Sequence, residues 1–114
     1  MSYLIKEGDI EWKSHPAGYE GVNMKVIRSK EKDDTRSTIA WVLVKEGYGV
    51  PEHFHEESDD YLYILDGKAK MRVGDEIYEI EEGSQITVPK QTKHEIFDVE
   101  EDLYIYDVFS PAIF

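Results

Sequence analysis

Apolar residues along this chain recur every second position in short runs, and nowhere do they recur at i, i+3, i+4 and i+7 over a dozen residues. That periodicity belongs to strands, whose successive side chains leave opposite faces. Thr38 to Val44 and Tyr61 to Leu65 are β-branched and aromatic, as strand interiors are. Lys70 to Val73 and Glu76 to Ile80 alternate across Gly74-Asp75, which predicts a hairpin with a two-residue turn. Val22 to Ile27, Gln85 to Val88, His94 to Val99 and Leu103 to Phe109 complete the set, the last two divided by Glu100-Glu101-Asp102. Ser29 to Thr35 is read as a charged loop, and Glu46-Gly47, Asp66-Gly67 and Glu82-Gly83 as turns. Short strands at this spacing predict a β-sandwich or barrel, one all-β domain over residues 1–114.

Composition narrows the chemistry. The chain lacks cysteine, which excludes disulfides, thiolate metal sites and cysteine nucleophiles. Its formal charge of −12 disfavours nucleic acids and anionic membranes as partners. No apolar run approaches the ~20 residues of a membrane span, and the first residues carry no secretory pattern. A cytoplasmic protein is the expectation.

Three of the four histidines fall in two windows. His53 and His55, at i and i+2, would leave the same face of a strand and offer two adjacent corners of a coordination sphere. Asp60 stands at the head of the next strand, and His94 opens another beyond Pro89. Three imidazole nitrogens and one carboxylate suit a first-row divalent ion at ~2.0–2.2 Å. An isolated His pair on a strand is more often a solvent-facing or hydrogen-bonded pair than a metal site, so the cluster alone leaves both readings open.

The wider spacing resembles the cupin superfamily. Gly47, His53, His55, Asp60 and Gly67 are spaced as its first motif, residues 47–67, with Asp60 where the family has Glu. Gly83, Pro89 and His94 are spaced as the second motif, residues 83–98, with Gln91 replacing a Gly and Asp98 the final Asn. The resemblance implies a single antiparallel β-barrel of jelly-roll (double-stranded β-helix) type, a small mono-cupin. It implies a divalent transition metal (Mn, Fe, Zn, Ni or Co) on His53, His55, Asp60 and His94, and a homodimer. Glu57 is a rival carboxylate, at i+2 from His55, although Asp60 keeps the family's spacing to Gly67. Asp98, two pleats past His94, is expected to point inward as an acceptor for an imidazole N–H or to end the strand as a polar residue. Gln91 suggests a less constrained loop, and His15, before Pro16, is read as a surface residue. Gly67 and Gly83 are expected to take positive φ at turns between strands. The implied activity is that of a metal-dependent dioxygenase, decarboxylase or isomerase on a small oxygen-rich molecule. The alternative is a non-catalytic module that binds or senses a small ligand.

Overall fold

The computed structural model describes residues 2–114, and its regular structure is almost entirely strand: β1 (Lys13–Ser14), β2 (Val22–Arg28), β3 (Thr38–Val44), β4 (Val50–His53), β5 (Asp59–Val73), β6 (Glu76–Glu81), β7 (Gln85–Val88) and β8 (His94–Ser110). The charged loop after β2 contains one helical turn, α1 (Lys30–Asp33), because the Ser29 hydroxyl accepts from the Lys32 N–H at 3.1 Å and caps it. Among the described residues no helix is long and apolar enough to cross a membrane.

Two long strands organise the molecule. β5 has 15 residues and β8 has 17, and they pair antiparallel along almost their whole length. The first half of β5 also pairs with β7 and its second half with β6. The start of β8 pairs with β4 and its end with β3, which continues into β2 and β1. Each long strand therefore serves two sheets. The inner faces meet in one core that joins Val42, Leu62 and Ile105 with Val50, Met71, Ile80 and Ile96. This is the jelly-roll barrel, and each buried aliphatic side chain contributes roughly 1.5–3 kcal/mol to holding it shut.

Passing from one sheet to the other requires bends, and the sequence hides them. Leu103 to Phe109 and His94 to Val99 form one strand, with Glu100-Glu101-Asp102 inside it. Likewise Asp66-Gly67 is no turn, because β5 runs straight through it. The register shifts three times between Ile64 and Lys70, so both strands bulge. The bulges reverse which residues face inward: Asp60, Leu62 and Ile64 are buried before the bend in β5, Ala69 and Met71 after it. In β8 the inward set changes from His94 and Ile96 to Val99, Leu103, Ile105, Asp107 and Phe109.

This reversal corrects the reading of Asp98. It takes a positive φ of 47° at the bulge, is exposed, and lies 3.6 Å from the Lys70 ammonium. Two regular pleats from His94 would have turned it inward, but no regular pleats intervene. The turn at Gly83 (φ 88°) and the Gly74-Asp75 hairpin form as expected.

Candidate metal centre

β4 and β8 pair so that His53 lies directly opposite His94, with ring centroids 4.2 Å apart. β4 ends at His53, so His55 is not placed by a pleat. Its backbone carbonyl instead accepts from the Gln91 N–H at 2.7 Å, which ties the loop before β5 to the loop before β8. Gln91 achieves this with φ +64°, the left-handed conformation that glycine adopts freely. The loop is therefore as tightly turned as a glycine there would make it, contrary to the expectation of a looser one. Because a side chain in that conformation costs about 1–2 kcal/mol, Gln91→Gly should stabilise the protein by about 1 kcal/mol, read as a shift in urea midpoint. A loss of stability would mean that the Gln91 side chain makes a contact worth more than its backbone costs.

The three imidazoles of His53, His55 and His94 each offer one nitrogen, all within 4.8 Å of one another. The tautomers are fixed from behind. The His53 Nδ1–H donates to the Pro51 carbonyl at 2.8 Å, and the His94 Nδ1–H to the Thr92 carbonyl at 2.9 Å. Both leave an Nε2 lone pair directed away from the backbone, the arrangement that orients metal-binding histidines. Burial, reinforced by the neighbouring imidazoles, holds the His53 pKa below its ordinary value and so keeps that ring neutral.

Asp60 is 3 % exposed, and its Oδ2 stands 3.6 Å from His55 Nε2 and 3.7 Å from His94 Nε2. Those separations are too long for hydrogen bonds but close to the ~3.0–3.5 Å between neighbouring ligand atoms that share an ion at 2.0–2.2 Å. His55 Nε2, His94 Nε2, Asp60 Oδ1 and Asp107 Oδ1 are buried without any hydrogen-bond partner. Buried polar atoms are normally satisfied, so the unpartnered His55 and His94 nitrogens beside the Asp60 carboxylate fit a cation there, although Asp60 itself lies outside the set of three imidazoles whose nitrogens are all within 4.8 Å of one another. Glu57, the rival carboxylate, is exposed and absent from the cavity wall, because the strand that would have aimed it inward ends at His53.

A second buried carboxyl group, Asp107, escaped the sequence reading. It is 5 % exposed, on β8 opposite Leu62 and beside Asp60, and its Oδ1 is buried without a hydrogen-bond partner. Burial and the adjacent Asp60 charge raise its pKa well above the usual carboxylate range. Burial also pushes Asp60 up, but the neighbouring Asp107 carboxyl and the two nearby imidazoles outweigh this and hold its pKa well below that range. The two shifts run in opposite directions, favouring the ionised form of Asp60 and the protonated form of Asp107. A raised native pKa contributes stability below the unfolded value of ~3.9 that is lost as pH rises toward the native one. Measured against Asp107→Asn, whose amide can still donate to Asp60, wild-type stability should fall as pH rises above about 4. A pH-independent difference in urea midpoint would show that Asp107 is ionised in the fold.

These groups line a cavity of about 310 Å³ whose remaining wall is mainly apolar, including Leu62, Met71, Ile105 and Phe109. His15 also lines it, stacked on Tyr19 at 4.7 Å between centroids, and so is a wall residue instead of the surface residue expected.

Comparison with known proteins agrees with this architecture. The cupin domain family model matches residues 40–109, more than half of the chain. The chain belongs to the cupin family. Among its relatives, an uncharacterized Methanocaldococcus jannaschii protein is 29% identical over 98 residues, 85% of this chain and 68% of its own length. The tetracenomycin polyketide synthase protein TcmJ of Streptomyces glaucescens is 31% identical over 83 residues, 73% of this cupin and 54% of its own length. Similar solved structures include KdgF from Halomonas sp. (TM-score 0.82, 20% identity, 97% of this chain and 94% of that one). A predicted oxalate decarboxylase from Thermotoga maritima is equally similar (TM-score 0.81, 24% identity, 95% and 98%). Pac13, a nucleoside dehydratase from Streptomyces, superposes with TM-score 0.78 at 20% identity over 100% of this chain and 86% of its own. At these identities the structural likeness establishes the jelly roll and leaves chemistry to the site.

Proposed function

We propose that this cupin is a metal-dependent enzyme acting on a small oxygen-bearing molecule, its divalent ion held by His53, His55, His94 and Asp60. One observation carries the reading: His53, His55 and His94 each bring a ring nitrogen within 4.8 Å of the others on the wall of a small cavity, His55 Nε2 and His94 Nε2 are buried and unpartnered, and Asp60 Oδ2 stands 3.6 and 3.7 Å from those two nitrogens. In a metal-free design such atoms would each cost about 1–3 kcal/mol. An ion there supplies Lewis acidity and a template for paired oxygens, chemistry that suits a dioxygenase, decarboxylase or isomerase. The chain's own part is to hold the rings. The Pro51 and Thr92 carbonyls fix two of them, and the Gln91 N–H positions the segment carrying the third. Asp107 lies buried beside Asp60, where burial and that neighbouring charge favour its protonated form. The apolar wall excludes water and strengthens the electrostatics within.

Protein purified from cells grown with Mn, Fe, Co, Ni and Zn should contain close to one equivalent of divalent metal by elemental analysis. Oxygen uptake or turnover should then appear against a panel of hydroxy acids, diketones and sugar phosphates. Metal without turnover on that panel would support a binding or sensing module in place of an enzyme. Absence of metal at supplied micromolar concentrations would remove the reading altogether.

A further inference from the structure

The cavity wall is as informative for what it lacks. Among the described residues that line it there is neither lysine nor arginine. Sites for multiply charged carboxylates or phosphates use such side chains, most often arginine in bidentate geometry. Arg72 lies on β5 near the site, but its guanidinium is held by Glu95 and sits 5.6 Å over the Phe97 ring. Lys25 is buried elsewhere, 2.7 Å from Glu7 and beneath Trp12. The ionisable groups on the wall other than histidine and tyrosine are the acids Asp60, Glu95 and Asp107.

Charge counting then limits the occupant. A divalent ion with three neutral imidazoles and the Asp60 carboxylate leaves a net +1. Asp107 adds no positive charge in either protonation state. A neutral molecule that binds through one ionised oxygen, such as an enol, brings the centre to zero. A dianion leaves an uncompensated negative charge among Val42, Leu62, Met71, Ile105 and Phe109, where charge is heavily penalised. The chain's overall −12 repels polyanions further.

His15 and Tyr19 bring neutral hydrogen-bond donors to the wall. The Ala17 N–H donates to His15 Nδ1 at 3.0 Å, so that nitrogen carries no hydrogen and the neutral ring bears its own on Nε2. This is the opposite tautomer to that of His53 and His94. Tyr19 links the rings, stacked on His15 and 6.2 Å from His53 between centroids. His15 lies outside the set of mutually close ligand atoms.

Resting on the metal-site reading, we propose that this site selects a largely apolar molecule presenting one pair of oxygens and carrying at most one negative charge, with His15 Nε2–H donating to it from the cavity wall. The test uses full-length protein loaded with nickel, with metal retention checked by elemental analysis, and calorimetric titration with acetylacetone, oxalate and glucose 6-phosphate. Acetylacetone should bind at least about tenfold tighter than either anion. His15→Phe, which keeps a ring against Tyr19 but no donor, should weaken acetylacetone about fivefold, the effect of one hydrogen bond. His15→Lys should shift the preference toward oxalate. Retained nickel with oxalate binding as tightly as acetylacetone overturns the selectivity, and an unchanged His15→Phe overturns the role of His15. A wild-type chain that takes up no nickel overturns the metal-site reading as well as this inference, so the two failures are distinguishable.

Discussion

Replacing His53 and His94 together by alanine should lower metal affinity by well over a hundredfold and leave a β-rich circular dichroism spectrum. The magnitude follows from the geometry. Changing groups that merely orient metal ligands costs 10–100-fold in affinity, and this double variant removes two of three close nitrogens outright. The fold should survive because neither ring belongs to the aliphatic core, and both line the cavity. In the metal-free protein the variant even removes an unpartnered buried nitrogen at His94. Thermal denaturation gives an independent readout. A ligand that binds only the native state stabilises it by RT ln(1 + [L]/Kd), about 4 kcal/mol at a thousandfold excess over Kd. The wild type should therefore melt several degrees higher when metal is added, and the double variant should not move. Equal metal content in the two proteins would show that ions sit elsewhere on this acidic surface.

Why the histidines were legible and Asp107 was not is a matter of range. His53, His55, Asp60 and His94 sit in local spacings that survive translation into structure, even though His55 lies beyond the end of β4. The single strand pass that turns Asp60, Leu62 and Ile64 inward is also local, and the exposed Tyr61 and Tyr63 alternate with them as the pleat requires. Asp107 shares parity with Leu103, Ile105 and Phe109, a signal present in the chain, but an acid in that company reads as a strand-edge residue until its neighbour across the sheet is known. The decisive neighbour, Asp60, lies diagonally across from it on β5 and 47 positions earlier. Asp98 failed for the complementary reason. Its parity with His94 was correct arithmetic on a regular strand, and the bulge between them depends on how β8 must bend to serve both sheets. Strand identity was local, strand fusion was not: the acidic triplet Glu100-Glu101-Asp102 looks like a loop because its side chains are exposed, yet its backbone remains paired, with Glu101 opposite Lys68.

Gly67→Ala should destabilise the protein by about 3 kcal/mol or more, one of the largest single-methyl effects available in this chain. The motif spacing marks Gly67 as a turn glycine, and turn glycines tolerate alanine at a cost near 1 kcal/mol when the space around them is open. Gly67 is instead buried within β5, at the register shift where that strand crosses from one sheet to the other. Its φ is +100°, outside the range that an L side chain enters without strain. A Cβ built there would also sit on the carbonyl oxygen of Asp102 and crowd the Leu103 Cα, both backbone atoms of the partner strand that cannot swing aside. Strain and overpacking therefore act together, each of order 1–3 kcal/mol. Relief would require β5 and β8 to separate at the bend that sets the inward phase of Asp60 on one strand and Asp107 on the other. Metal affinity should accordingly fall along with the urea midpoint, whereas Gly83→Ala, with nothing within 4 Å of its added methyl, should lose only the local strain of its φ of +88° and keep its metal. Equal losses in the two variants would mean that backbone conformation alone governs both glycines and that the packed crossing at Asp102 contributes nothing.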